Sequence, residues 1–453
     1  MTAKERLPQL TPALLAEWVR DARQRTLDLI ADLRDDQLLG PRLPILNPLL
    51  WEIGHLAWFA ERWILRHAGQ QPPLCGDADA LYDSSAVPHA TRWDLPLPSR
   101  SATLEYMRQV QERVLDVLDR GPNSQETYFI QLAIFHEDMH GEAFLYSRQT
   151  LAYPRPSVVS CQLSVVRKVA SSSLTTDNRQ LTTGDGGAWP GDVFVPGGTF
   201  MLGGTPEEPF VFDNEKWAHP VSLRPFAIAR APVTQSEFAA FVEADGYRRP
   251  ELWSEVGWHW RQTAQAEQPL YWQRDRHGWL RRDFDRWLPL EPHRPVLHVS
   301  WYEAEAYCRW AGRRLPTEAE WEAAAAASGP DLAVPKRRFS WGDTPPDATR
   351  AQLDGYALGC CDVAALPAGD SAWGCRQMIG NVWEWTADAF GPYPGFTPDP
   401  YRDYSQPWFA THKVLRGGAW MTRSRLLRNT WRNFYKPERR DVWAGFRTCA
   451  LQP

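Results

Sequence analysis

Over the first third of the chain the apolar positions keep a helical period. From Thr11 to about Leu39, Leu14, Leu15, Trp18, Val19, Ala22, Leu29, Ile30 and Leu33 broadly follow helical spacing, which predicts one amphipathic helix. Asn47-Pro48 reads as an N-cap with proline at the first helical position. It opens a second helix through WEIGHLAWFAERWILRHAG to a stop at Gly69. Residues 73–100 read as a loop punctuated by Pro73, Pro88, Pro96 and Pro98. A third helix over Ser101–Arg120 halts at Gly121-Pro122, and a fourth from Ser124 to about Leu151 is stopped by Pro154. Four helices with short links and one long crossover predict a four-helix bundle over residues 1–151.

Residues 152–190 change character. The stretch SVVRKVASSSLTTDNRQLTTGDGGAWPG is rich in Ser, Thr and Gly and reads as a linker. From 191 to 453 the pattern is mixed. FVPGGTFMLGG is an apolar strand broken by glycine turns, and VTQSEFAAFVEADG is a capped helix. VSWYEAEAYCRWAGRRLPTEAEWEAAA gives two helices split at Leu315-Pro316, and short strands follow in GNVWEWT, KVLRGGAW and AGFRTCA. The expected fold class is therefore multidomain: an α-helical bundle, then an irregular α+β domain.

Composition narrows the function classes. The 453 residues are 43% hydrophobic, enough for a core in each domain. Lys and Arg (50) nearly balance Asp and Glu (55), so nothing is built to neutralise a nucleic-acid backbone. No apolar run approaches the ~18–20 residues of a membrane span, and MTAKERLPQL has no signal core. The 7 cysteines form no regular framework and read as reduced thiols, which points to a cytoplasmic protein without nucleic-acid or membrane partners. The 24 tryptophans could form core or the aromatic walls of a cation site.

The chemistry-bearing string is His136-Glu137-Asp138-Met139-His140, inside the fourth predicted helix. An i, i+4 pair puts both imidazoles on one face, suited to one metal ion. HEDMH also fits the H-E-x-x-H zinc-protease pattern, with Glu137 as general base. The following GEAFLYSRQT supplies no third histidine, however, and nothing else resembles a peptide cleft. A better third ligand is His55, on a stripe with Trp51, Trp58 and Phe59 in the second helix, because ligands on facing helices of a bundle converge. Three imidazoles suit Fe(II), Zn(II) or Ni(II), and spacing does not choose among them.

The three histidines, the loop YDSSAVPHATRWDLPLP and the C-terminal strings GNVWEWT, LRGGAW and RNFYKPERRDVWAGFR together resemble the ergothioneine-type sulfoxide synthases. The resemblance covers nearly the whole chain. It implies a DinB-like four-helix bundle followed by a formylglycine-generating-enzyme-like domain, a C-type-lectin-like α+β fold. It implies Fe(II) held by His55, His136 and His140, and O2-dependent bond formation at C2 of the imidazole of hercynine (Nα-trimethylhistidine). Formylglycine generation itself is not expected, since LRGGAWMTRSRLLRNTWRNF lacks the cysteines that chemistry uses.

Departures from the family pattern bear on the donor. In the branch that uses γ-glutamylcysteine, two Arg of a P-R-x-x-R-like loop grip the donor with an Asp and an Arg of N-W-D-x-P-x-R. Here His89 replaces the first Arg and Tyr435 replaces the Asp, while Arg92 and Arg439 remain. Loss of one cation and one anion removes complementarity to a zwitterionic dipeptide, whereas His and Tyr suit a neutral polyhydroxylated ring. This favours the selenoneine synthase branch, whose donor is a seleno-sugar (1-seleno-N-acetylglucosamine), over a thiol donor such as cysteine or γ-glutamylcysteine. Asn433 and Phe434 match positions that contact hercynine, and Met139 stands where some members carry a contacting Gln. Trp420, with Trp383, Trp385 and Trp431, could face the quaternary ammonium. Tyr393, in GPYPGF, is the candidate for the family's catalytic tyrosine. Two rival classes stand beside this one: an oxygen-independent DinB-type metal hydrolase or thiol-transferase, and a binding module for a quaternary amine.

Overall fold

The computed structural model describes residues 10–156, 187–333 and 335–451, which form two compact units, one over residues 10–156 and one over the described residues from 187 to 451. Most of the expected linker, residues 157–186, lies outside the described residues.

The first unit is helical. Its long helices are α1 (Pro12–Ile30), α3 (Leu49–Ala60), α5 (Arg100–Asp119) and α6 (Ser124–Thr150), with short α2 (Asp35–Leu39) and α4 (Ala78–Tyr82) between them. α1 packs on α5 and α6, and α3 packs on the same two, which closes a four-helix bundle. α5 buries Met107, Val110, Val114 and Val117 at the spacing of a single core-facing stripe. α6 is buried nearly all round. Its inward positions include His136, Glu137, Asp138, Glu142 and Arg148 as well as Phe129, Ile130 and Leu145. Polar groups so placed must find partners or cost free energy, so α6 is where chemistry is to be sought.

The helix expected to reach Leu39 instead breaks after Ile30. Arg148 donates to the Leu29 carbonyl at 2.8 Å, and Arg100 donates to the carbonyls of Ile30 and Leu33 at 3.1 and 2.6 Å. These side chains satisfy the carbonyls that the next helical turn would have used. α3 begins at Leu49, with Pro48 in the cap position, so Asn47 does not cap it. After Ala60 the helix widens into a π-type stretch over Glu61–Ala68 and stops at Gly69, whose N–H reaches the Ile64 carbonyl at 2.9 Å. α5 and α6 keep the expected spans to within a residue. Asn123 and Glu126 cap α6 reciprocally at 2.9 and 3.0 Å.

The second unit is α+β. One four-stranded sheet runs Asp192–Val195, Phe226–Ala229, Cys449–Ala450, Arg313–Arg314 in spatial order. Another runs Asn433–Tyr435, Lys413–Arg416, Trp383–Ala389, Ala444–Gly445. Helices α7 (Gln235–Glu243), α9 (Trp301–Trp310) and α10 (Glu318–Ala326) start at Thr234, Ser300 and Thr317, each closing a capping box. α10 is buried along its whole length among Val195, Phe200, Phe226 and Ile228. Its carboxylates are paired there: Glu318 with Arg416 and Arg432, and Glu322 with Arg416 and Lys336. The sequence pattern did not foresee α8 (Glu255–Thr263) or the three-stranded sheet over Trp272–Asp275, Gly278–Asp283 and Arg286–Pro289. These segments mix Trp with Arg and Asp and carry no clean apolar period. Cys75, Cys308, Cys360, Cys361, Cys375 and Cys449 are all free thiols. No helix among the described residues is long and apolar enough to cross a membrane.

Candidate metal centre

α3 and α6 lie side by side in the bundle and bring His55, His136 and His140 together. The facing nitrogens are close: His55 Nε2 to His136 Nε2 is 3.3 Å, and His140 Nε2 to His136 Nε2 is 3.2 Å. One potential ligand atom from each ring lies within 4.8 Å of the others. His55 and His136 are buried, and His140 is partly exposed.

Hydrogen bonds at the far side of two rings decide what those nitrogens are. His55 Nδ1 meets the backbone carbonyl of Tyr82 at 2.8 Å, and a carbonyl only accepts, so Nδ1 carries the proton. His140 Nδ1 meets Glu52 Oε2 in the same sense, as donor to a carboxylate. Each of these rings, when neutral, therefore turns an Nε2 lone pair toward the cluster. Burial, followed by the neighbouring His140, pushes His55 down to about 3, and the same causes push His136 well below the usual imidazole range. Burial alone would raise Glu52. Its contacts with His140 and Asn47 outweigh that and hold it below the ordinary carboxylate range. The His55 and His140 lone pairs both face His136 Nε2, a convergence that a proton on that nitrogen or a cation among the three bridges. The donor set thus fits a borderline divalent ion bound on one face by three neutral nitrogens.

Aromatic rings fix the imidazoles. His55 stacks on Trp51 at 4.8 Å and 9°, and His136 stacks on Phe59 at 3.7 Å and 8°. Gly54 keeps Tyr82 in place, since a β-carbon there would fall within the Tyr82 ring.

The zinc-protease reading of HEDMH fails on geometry. One residue beyond His136 lies about 100° round the helix. There Glu137 takes Arg23 at 2.9 and 3.2 Å and Thr26 at 2.9 Å, inside the bundle. A carboxylate so committed does not serve as base at the histidine face.

Two family profiles match the chain: the DinB superfamily over residues 19–143 and the sulfatase-modifying factor enzyme 1-like domain over residues 179–451. A hercynine oxygenase of Mycolicibacterium thermoresistibile is 39% identical over 446 residues, 96% of this chain and 94% of that protein. The chain belongs to the hercynine oxygenase family. The homologue of the same name from Mycolicibacterium smegmatis is 37% identical over 96% of this chain and 97% of its own. A formylglycine-generating enzyme of Streptomyces coelicolor is 34% identical over 51% of this chain and 79% of its own.

Within this family frame, the remaining candidates fall in two places. In the first unit, His89 lies in a short 3-10 turn, with Nε2 against the Leu46 carbonyl at 2.6 Å and its ring edge-on to Trp93. Arg92 is 7% exposed. Its guanidinium lies 3.9 Å from the Trp51 ring centroid and donates to Asn47 at 2.7 Å and to the Ser84 and Val87 carbonyls at 3.3 Å. Met139 is partly exposed on α6 beside His140. In the second unit, Asn433, Phe434 and Tyr435 form an edge strand. Phe434 stacks on Phe390 at 4.0 Å. Arg439 lies near the Tyr435 ring and forks onto Asp441 with two bonds of 2.6 Å. Trp420 is 1% exposed and edge-on to Trp443, and Trp383, Trp385 and Trp431 are likewise buried. Tyr393 is buried in the core around α10, with its hydroxyl 3.1 Å from Glu318 and Arg432 over its ring at 4.2 Å.

Sequence reasoning missed Glu52, Asn47, Trp51 as a stacking partner of Arg92, and the Tyr82 carbonyl. One signal was available. Glu52 is the one carboxylate in the run LLWEIGHLAWFA, three residues before His55, and a charge among so many apolar side chains must be paired.

Proposed function

We propose that the chain is a non-heme Fe(II) oxidoreductase that acts on hercynine with O2 and joins a chalcogen donor to the imidazole C2. The observation that carries this reading is the convergence of His55, His136 and His140, with Nδ1 protons locked outward on two of them. Iron held by three neutral nitrogens keeps coordination positions open for substrates and O2 and supplies the oxidising chemistry. The protein's own part is to hold three lone pairs on one face, to fix ring planes by stacking on Trp51 and Phe59, and to exclude water through the burial of α3 and α6. Relatives named hercynine oxygenase at 37–39% identity support hercynine as the acceptor.

For the donor we propose the seleno-sugar, giving a carbon–selenium bond. What supports this is the substitution of His89 and Tyr435 for the charged residues of a dipeptide grip. In addition, Arg92 and Arg439 have guanidinium donors engaged, by Asn47 with backbone carbonyls and by Asp441 respectively. The second reading is a thiol donor and a carbon–sulfur bond; the relatives' names specify hercynine and no donor. Asn433, Phe434, Tyr435, Trp420 and Met139 stand as candidate substrate contacts. Tyr393 stands as the candidate proton-donating hydroxyl, although its bond to Glu318 favours a packing role.

Mass spectrometry of reactions with hercynine and, separately, seleno-sugar, cysteine and γ-glutamylcysteine tests the proposal. A selenium-containing adduct formed only with oxygen and iron is the expected result. Exclusive sulfur adducts establish the second reading, and turnover without oxygen overturns both. With Tyr393→Phe, retained turnover assigns that residue to the core.

A further inference from the structure

The loop that carries Arg92 is tied to the metal ligands by an unbroken set of contacts. Arg92 Nη1 donates to Asn47 Oδ1 at 2.7 Å, Asn47 Nδ2 donates to Glu52 Oε1 at 2.5 Å, and Glu52 Oε2 accepts the His140 Nδ1 proton. The direction of the chain is forced. A guanidinium only donates and a carboxylate only accepts, so the Asn47 amide between them has one orientation, oxygen to Arg92 and nitrogen to Glu52. Every member except His140 and Asn47 is nine-tenths or more buried, with Arg92 at 7% exposed and Glu52 at 5%. A second connection runs through Trp51, which stacks with both the Arg92 guanidinium and the His55 imidazole.

From this geometry we infer that Arg92, Asn47 and Glu52 form one positioning relay, through which the loop at residues 89–92 sets the orientation and donor strength of His140. Arg92 then acts on the metal centre rather than as a grip on the donor. The inference rests on the three-histidine reading above.

The physical argument concerns what each bond supplies. A carboxylate accepting the Nδ1 proton fixes the ring plane and makes Nε2 a stronger electron-pair donor. The carboxylate does this only if it is itself held, and Asn47 holds its other oxygen. Asn47 in turn is held by a guanidinium wedged between Trp51 and the backbone carbonyls of Ser84 and Val87. Arg92 Nε is buried without a partner. Glu52→Gln breaks the relay at its centre, because the amide nitrogen must face either the Asn47 amide protons or the His140 proton, donor against donor.

The test is a titration of the metal-free full-length protein with Co(II) alone, followed by its visible d–d absorption. It is run on wild type, Glu52→Gln, Arg92→Met and the double variant, with His55→Ala as control and hercynine and donor KM values measured in parallel. Each single variant should weaken Co(II) binding by about 10–100-fold and alter the absorption envelope. The double variant should be no weaker than the worse single, since both break one chain. If Arg92→Met raises only the donor KM and leaves Co(II) binding unchanged, Arg92 is a donor grip and the relay is overturned. Additive losses in the double variant also overturn it. If Glu52→Gln does not fold, Asn47→Leu, which removes both central bonds and leaves Glu52 and His140 in place, carries the same expectation. If His55→Ala binds Co(II) like wild type, the three-histidine reading falls. If it loses Co(II) while Glu52→Gln does not, only the relay falls.

Discussion

Each of the three clustered imidazoles is held by a contact made away from the cluster. The clearest case is Gly54. Its missing side chain leaves room for the Tyr82 ring, and the Tyr82 carbonyl sets the His55 proton at 2.8 Å. Gly54→Ala must displace a fully buried ring, and we predict a loss of about 1–3 kcal/mol in stability together with weakened metal retention. Denaturant unfolding and metal analysis of the same sample check this. An unchanged metal content would show that Tyr82 is dispensable to His55. Glu137 gives a second case, in which two readings of one residue separate cleanly. As the buried partner of Arg23 it should cost about 3–5 kcal/mol when changed to Gln, because Arg23 is then left unpaired in the bundle. As a catalytic base it would cost turnover and leave the urea midpoint in place. We predict the first outcome.

At the scale of elements, much of the site was legible in the chain. The i, i+4 spacing of His136 and His140 placed them on one helix face. The stripe through Trp51, His55 and Phe59 placed the third imidazole on a facing helix, and those three rings do meet. What the pattern did not disclose was tertiary. Asn47 before Pro48 has the composition of a helix cap, yet its amide nitrogen goes to Glu52 five residues on and its oxygen to Arg92, which becomes a neighbour only when the loop at residues 89–92 folds back on α3. The early end of α1 has the same origin, in Arg148 and Arg100 reaching its last carbonyls from other helices. Local signals work where the partner is local. Asn123 and Glu126 cap α6 as their spacing implies, and Asn123→Ala should lower stability by about 1 kcal/mol. Because that cap lies three turns before His136, the thermal midpoint should fall while metal stoichiometry stays at wild type. Loss of metal would mean that fraying reaches the site.

For the molecule as a whole, buried histidine links stability to pH. His298, in the second unit, is pushed to about 3, first by burial and then by Arg281 and Arg282. The unfolded chain takes up the corresponding proton near the ordinary value of 6.5, so across the window from 6.5 down to about 3 the unfolded state binds the extra proton. Stability is therefore complete above this window and declines as pH falls through it, with a slope of up to about 1.4 kcal/mol per pH unit for one group. His298 has a positive φ of 61°, which Asn tolerates. His298→Asn should flatten the decline of the urea midpoint between pH 7 and pH 5 relative to wild type, and an unchanged slope would remove His298 from the account. The two units also differ in how they hold charge. The first concentrates unprotonated imidazoles at one place, while the second neutralises the carboxylates of α10 with Arg416, Arg432 and Lys336. The first arrangement turns the Nε2 lone pairs of His55 and His140 inward, the kind of donor a borderline cation takes.

The most direct measurement of the central claim is an anaerobic Fe(II) titration of metal-free protein, with bound iron quantified per chain in wild type and in His55→Ala, His136→Ala and His140→Ala. The account predicts one iron per wild-type chain and its loss from all three variants, while each retains the helical circular dichroism of the parent. A full equivalent of iron retained by His55→Ala would contradict it.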